Sequence, residues 1–228
     1  EMPSTDALPG CSATGSARVG CLLREPPVPG AGCEATYPPF QSWNALRDDR
    51  ADAERFAHDV ACLATVGTNG CTFTQPFASV ARALSVETRP GMCNAGFLLD
   101  DALLAVLWIS DGDDGSASVA HPELFDPDAP LGPPATRAAL HPELLEPIDT
   151  FVTAIRGMKP ADEWYKIVLG MIVGVPAGIP PCDGQGDRLD VCLDRPEMRA
   201  ASDPLNPTRL IPSCLTPGAR AAPPRRFV

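Results

Sequence analysis

The chain has 228 residues, with 18 basic and 29 acidic side chains and a net charge of −11. A charge of that sign repels a phosphate backbone or an anionic membrane surface, so nucleic acid is excluded as a natural partner. Hydrophobic residues make up 44% of the sequence, enough for a core, while 27 Pro and 19 Gly exclude a helical bundle and point to a large share of irregular backbone.

Prolines divide the chain. Seven lie in residues 1–40, seven in 120–147 and ten in 176–228, so regular structure is expected in the two proline-poor blocks, 41–119 and 148–175. The organisation read from this is an irregular Pro/Gly/Cys-rich segment at 1–40, an α/β core at 41–175 with a proline-rich insertion at 120–147, and a proline-rich extension at 176–228. The tail from Arg220 to Arg226 is basic in an acidic chain and reads as a strap across the body.

In chain order, Asp52, Phe56, Val60 and Leu63 have the spacing of an amphipathic helix ending near Val66. A turn at Thr68 to Cys71 leads to a second helix with Phe77, Val80, Ala81 and Leu84, in which Pro76 is tolerated in the first turn. Ala102 to Ile109 is apolar without alternation, which predicts a strand covered on both faces. Leu144, Ile148, Phe151, Val152 and Ile155 predict a helix, and Lys166 to Val173 a second buried strand. Helix, helix, strand, helix and strand in that order predict a three-layer, Rossmann-like parallel sheet with helices on both faces. The longest apolar runs are strand length, far short of the roughly 20 residues of a bilayer span.

The cysteines are Cys11, Cys21, Cys33, Cys62, Cys71, Cys93, Cys182, Cys192 and Cys214. They avoid the CxxC spacing of zinc and redox motifs, so an oxidising, extracytoplasmic setting explains them best: secreted, periplasmic or lipid-anchored. Nine is odd, which leaves one thiol free or paired outside this sequence. Cys62 and Cys71 flank a helix end and turn and are the first-choice bridge. Cys182 with Cys192, and two among Cys11, Cys21 and Cys33, are further candidates, although order alone does not fix connectivity. No export signal precedes Glu1, which reads as a processed product or a piece of something longer.

Parallel sheets place ligand sites at the carboxyl ends of their strands. After Ile109 comes Ser110-Asp111-Gly112-Asp113-Asp114-Gly115-Ser116, an oxygen-rich run suited to a hard divalent cation, Mg²⁺ or Ca²⁺. The competing reading is an acidic turn whose Asp and Ser side chains bond their own backbone.

Ile109-Ser110-Asp111-Gly112 at a strand end, behind Gly67-Thr68-Asn69 and the helix Phe77 to Leu84, resembles the later half of a von Willebrand factor A domain. The segments Cys62 to Cys71, Asn94 to Leu98, Asp111 to Asp114 and Thr208 to Cys214 resemble, more narrowly, bacterial secreted or lipid-anchored proteins with A-like domains. The resemblance implies a metal-ion-dependent adhesion site at the sheet's carboxyl edge. There Asp111 matches the family's late Asp, Asp113 and Asp114 adjoin it, and Thr68 has the Gly-Thr context of the family's Thr. Spacing back from Phe77 points instead to Cys71 or Thr72 for that Thr. Asp114-Gly115-Ser116-Ala117-Ser118 fits the family's Asp-x-Ser-x-Ser by letter, but Val119-Ala120-His121-Pro122 follows it where the family has a long helix. The family's opening strands are therefore expected upstream, in a missing part of the same chain.

His121-Pro-Glu and His141-Pro-Glu repeat one pattern that suits helix starts better than zinc. No GxSxG, Walker A or GxGxxG motif occurs. The expected function is a non-enzymatic extracytoplasmic binding or adhesion module for a protein or other surface ligand, with a partial divalent-metal site. The alternatives are a metal-free structural envelope domain and a secreted hydrolase using His121 or His141.

Overall fold

The computed structural model describes residues 20–67, 73–176, 182 and 189–227. Helix α1, Arg50–Ala64, opens on a capping box: the Asp49 carboxylate accepts from the Asp52 amide at 2.9 Å, and Asp52 accepts from the Asp49 amide at 3.2 Å. Of its side chains only Cys62 is fully buried. Helix α2, Pro76–Ser85, starts at a proline that needs no amide donor and turns Phe77 and Leu84 inward. Strand β1, Leu104–Ile109, follows. Then come α3, Pro134–Leu140, and α4, Ile148–Arg156, which buries Phe151 and Ile155. Strand β2 is Ile167–Ile172.

β1 and β2 pair in parallel with Leu104 opposite Ile167 and Ile109 opposite Ile172. Side chains alternate across a strand, so Leu104, Val106 and Trp108 share one face with Ile167, Leu169 and Met171. That face carries a core cluster of Phe77, Trp108, Phe151, Ile155 and Phe227. Its rings meet at tilted and edge-on angles, with Phe77 4.9 Å from Phe227 and 5.4 Å from Trp108.

The rest of the described chain is small pieces. Helix α5, Leu189–Leu193, precedes two short hairpins: β3, Ser202–Asp203, with β4, Asn206–Leu210, and β5, Cys214–Thr216, with β6, Ala219–Ala221. A second core cluster of Phe73, Ala117, Leu124, Phe125 and Leu145 sits under α3 and the proline-rich loops. Arg137 organises those loops from inside. It is almost wholly buried and donates to the carbonyls of Gly132, Leu124 and Asp126 at 2.7, 3.1 and 2.6 Å, with no carboxylate partner among the described residues.

Three expectations are corrected. The three-layer Rossmann-like sheet is absent: every described sheet has two strands, and only β1 and β2 are parallel. The two central strands do form, but α2 and α4 both pack on the same face, where they bury Trp108 and leave Leu169 and Met171 49% and 42% exposed. On the other face Leu107, Ile109, Val168 and Ile172 are 60%, 67%, 48% and 60% exposed. An apolar strand records that it can be covered on both sides, not that this chain supplies both covers. The second correction is Cys62, which bonds Cys33 and not Cys71. Its helix face is met by the turn at Cys33, where Gly32 lies against the His58 ring one helical turn before Cys62. The expected bridge between two of Cys11, Cys21 and Cys33 is likewise overturned, because Cys21 bonds Cys93 and Cys33 bonds Cys62. Cys182 and Cys192 are joined, Cys214 is a free thiol, and Cys11 and Cys71 lie outside the described residues.

Candidate functional site

The carboxyl end of β1 turns sharply because the Ser110 hydroxyl accepts from the Gly112 amide at 3.2 Å and donates to the Gly112 carbonyl at 3.0 Å. Gly115 then passes close under the chain before α2, donating to the Thr74 carbonyl at 2.9 Å. A Cβ there would meet that oxygen at 2.8 Å, so the position requires glycine.

This approach brings Asp114 and Ser116 to the start of α2, where helical amides lack partners. Asp114 Oδ1 accepts from the Phe77 amide at 2.9 Å and from the Ser116 hydroxyl at 2.6 Å. The Ser116 oxygen accepts from the Ala78 amide at 2.9 Å. Gln75, at the helix's own cap position, makes no capping bond and instead accepts from the Ala117 amide at 3.2 Å. The helix is thus capped from almost 40 residues away. Asp114 Oδ2 accepts from the Ser116 amide at 3.1 Å and from Arg226 Nε at 3.0 Å.

Arg226 arrives with the C-terminal segment, which lies over the carboxyl ends of both strands. The Ala222 amide donates to the Asp111 carbonyl at 2.8 Å, and Ser213 Oγ donates to the Gly174 carbonyl. The Arg226 amide reaches Asp113 Oδ1 at 2.9 Å, and its Nη2 donates to the Glu146 carbonyl at 2.7 Å. Burial under this segment pushes the Asp113 carboxyl up to about 6, against the opposing pull of the Arg226 and Asp114 amides.

Of the four expected metal ligands, Asp111, Asp113 and Asp114 share this loop but face different surroundings, and Thr68 lies outside the described residues. Asp111 is exposed in an open cleft of about 500 Å³ lined also by Gln75, Ser79 and Ser110. Asp113 and Asp114 are already engaged by protein donors, one of them a guanidinium, which repels a cation. The arrangement does not fit a divalent ion, whose octahedral or larger shell needs several free oxygens converging on one point. Among the described residues the one grouping of three close His, Cys, Asp or Glu ligand atoms is Cys21, Glu87 and Cys93, whose two sulfurs are joined in a disulfide.

The histidines are equally local. His121 Nδ1 is 2.9 Å from Glu123 Oε1 and His141 Nδ1 is 3.2 Å from Glu143 Oε1, each at the start of a short 3₁₀ turn. Glu123 and Glu143 are each held below the usual range chiefly by their own backbone amides and, in part, by the histidine beside them. Neither pair lines the cleft at the end of β1.

A second concavity lies on the helix-covered face of the sheet. It is an apolar groove of about 440 Å³, to which α4 contributes Phe151, the sheet Trp108 and Leu169, and the C-terminus Phe227. Sequence reasoning missed it, because Trp164 and Phe227 lie far apart in the chain and carry no motif.

No protein-family model, curated protein or solved structure matches this chain. Three disulfides among the described residues fit an extracytoplasmic protein, and no described helix is long and apolar enough to cross a membrane.

Proposed function

We propose that the chain is a non-enzymatic, extracytoplasmic binding module that docks a polypeptide partner on the bare face of the β1–β2 sheet, without a metal ion. The observation that carries this reading is the exposure of Leu107, Ile109, Val168 and Ile172 on one side of a parallel sheet. Parallel sheets occur almost only with both faces covered, and two strands alone do not make an independently stable sheet. Each of these side chains gains about 1.5–3 kcal/mol when moved from full exposure to full burial. The outer edges of β1 and β2 are also unpaired among the described strands, which suits a partner that adds strands.

A structural role in the cell envelope is the same surface used permanently. The interlocked Asp114, Ser116 and Arg226 support the metal-free form of either role, because their polar groups are spent on holding the C-terminus to α2.

A photo-crosslinking side chain placed at Leu107 in the native host tests the proposal, with a second placed at exposed Leu205 as the control. A discrete adduct to one polypeptide, from Leu107 and not from Leu205, is expected. Its mass shows whether the partner is another molecule or a further segment of the same polypeptide. No discrete adduct at Leu107, or the same adducts at both positions, overturns the reading.

A further inference from the structure

We propose that the groove between α4 and the sheet binds a small apolar carboxylic acid, its carboxylate held by Arg156 and its hydrocarbon lying along Phe151, Trp164 and Leu169. The volume of about 440 Å³ falls in the range of small-molecule sites and is too confined for a folded partner. The groove is lined by two guanidinium groups, Arg156 and Arg226, and by no carboxylate, in a chain where acids outnumber bases 29 to 18. An acid-free, apolar surface edged by cations in an otherwise acidic protein is complementary to an amphipathic anion.

The two arginines differ in what remains to them. Arg226 is committed to Asp114 and to the Glu146 carbonyl. Arg156 has neither an acidic nor a carbonyl partner among the described residues; its Cζ sits 4.9 Å from the centre of the Trp164 ring. Stacking on an indole face leaves the planar edge of a guanidinium free to take a carboxylate in two parallel hydrogen bonds. The unmet group is a donor, so the ligand it asks for is an acceptor.

The site faces away from the docking surface proposed above, since Leu169 and Trp108 lie on the opposite side of the sheet from Leu107 and Ile172. Either proposal can fail alone. The test is titration of the full chain with decanoate and with 1-decanol at pH 7.5, below micelle-forming concentrations, read by tryptophan fluorescence and calorimetry. Decanoate is expected to saturate at one per chain and to bind at least about tenfold tighter than decanol, as for a charge-assisted pair. Arg156→Gln should bring decanoate down to the level of decanol and leave decanol unchanged, and Leu169→Glu should abolish both. Arg156 and Leu169 are exposed enough for both variants to fold, which the unfolding midpoint checks. Absence of saturable binding, more than one decanoate per chain, or an unchanged preference in Arg156→Gln overturns the proposal.

Discussion

Asp114 Oδ2 and Arg226 Nε stand 3.0 Å apart across 112 residues of sequence, and with them the C-terminus is tied to the start of α2 and the end of β1. The carboxylate is fully buried and the guanidinium nearly so. Removing the cation leaves a buried charge with neutral donors only, which costs about 3–5 kcal/mol. Arg226→Ala is therefore expected to lose that much in urea unfolding. Arg226→Lys should fall between, because one ammonium cannot reproduce the fork that serves both Asp114 and the Glu146 carbonyl. A change below about 1 kcal/mol for Arg226→Ala contradicts the interlock.

Asp113 gives the fold a pH dependence of unusual sign. Its carboxyl is raised from 3.8 to about 6 by burial, so between these values the folded chain holds a proton that the unfolded chain has released. Stability from this group is greatest below about 4 and declines as pH rises through 6, by up to about 3 kcal/mol. Asp113→Asn can still accept from the amides of Arg226 and Asp114. It should be more stable than the parent at pH 7.5 and equal to it near pH 4, measured by unfolding at both. A variant no more stable than the parent at pH 7.5 contradicts this.

Arg137 should behave as a core residue despite its charge. Its guanidinium is caged by loop carbonyls from Leu124 to Gly132, and no other described group takes its place. Arg137→Met orphans several buried carbonyls at about 1–3 kcal/mol each before any loss of packing. A loss of at least about 3 kcal/mol is expected, with the region around Phe125 becoming accessible to proteolysis. A loss under about 1 kcal/mol shows the cage to be dispensable.

The cysteine pairing is open to direct mapping. Peptides from the non-reduced protein should join Cys21 to Cys93 and Cys33 to Cys62, with Cys182 on Cys192. The bridge across 72 residues constrains the longest of these loops, and its removal as Cys21→Ser with Cys93→Ser should cost about 4 kcal/mol. A peptide joining Cys62 to Cys71 contradicts the structure.

Much of the local structure was legible in the sequence. The spacing of Phe77 and Leu84, the spacing of Phe151 and Ile155, and the apolar runs around Val106 and Leu169 mark α2, α4, β1 and β2 within a few residues. Burial was not legible, because Leu107 and Ile172 are as apolar as Trp108, and only the placement of α2 and α4 decides which face is covered. The oxygen-rich run after Ile109 was visible as chemistry but not as a role. Asp and Ser suit helix capping and metal binding alike, and nothing in the residues near Asp114 names Arg226 as its partner. The pairing of Cys62 was not legible for a related reason: closeness in sequence to Cys71 says nothing about the turn that brings Cys33 onto α1.

The central claim is that the β1–β2 sheet carries a bare apolar face ready for a partner, and the double variant Leu107→Glu with Ile172→Glu tests it most directly. Both side chains are 60% exposed, so the variant should keep its fold. Its thermal midpoint should stay within about 5 °C of the parent, while binding of the apolar dye anilinonaphthalene sulfonate, measured with excess decanoate filling the Arg156 groove, falls severalfold. If the variant is instead unfolded at 25 °C, or loses more than about 4 kcal/mol, those residues belong to a covered core and the account is contradicted.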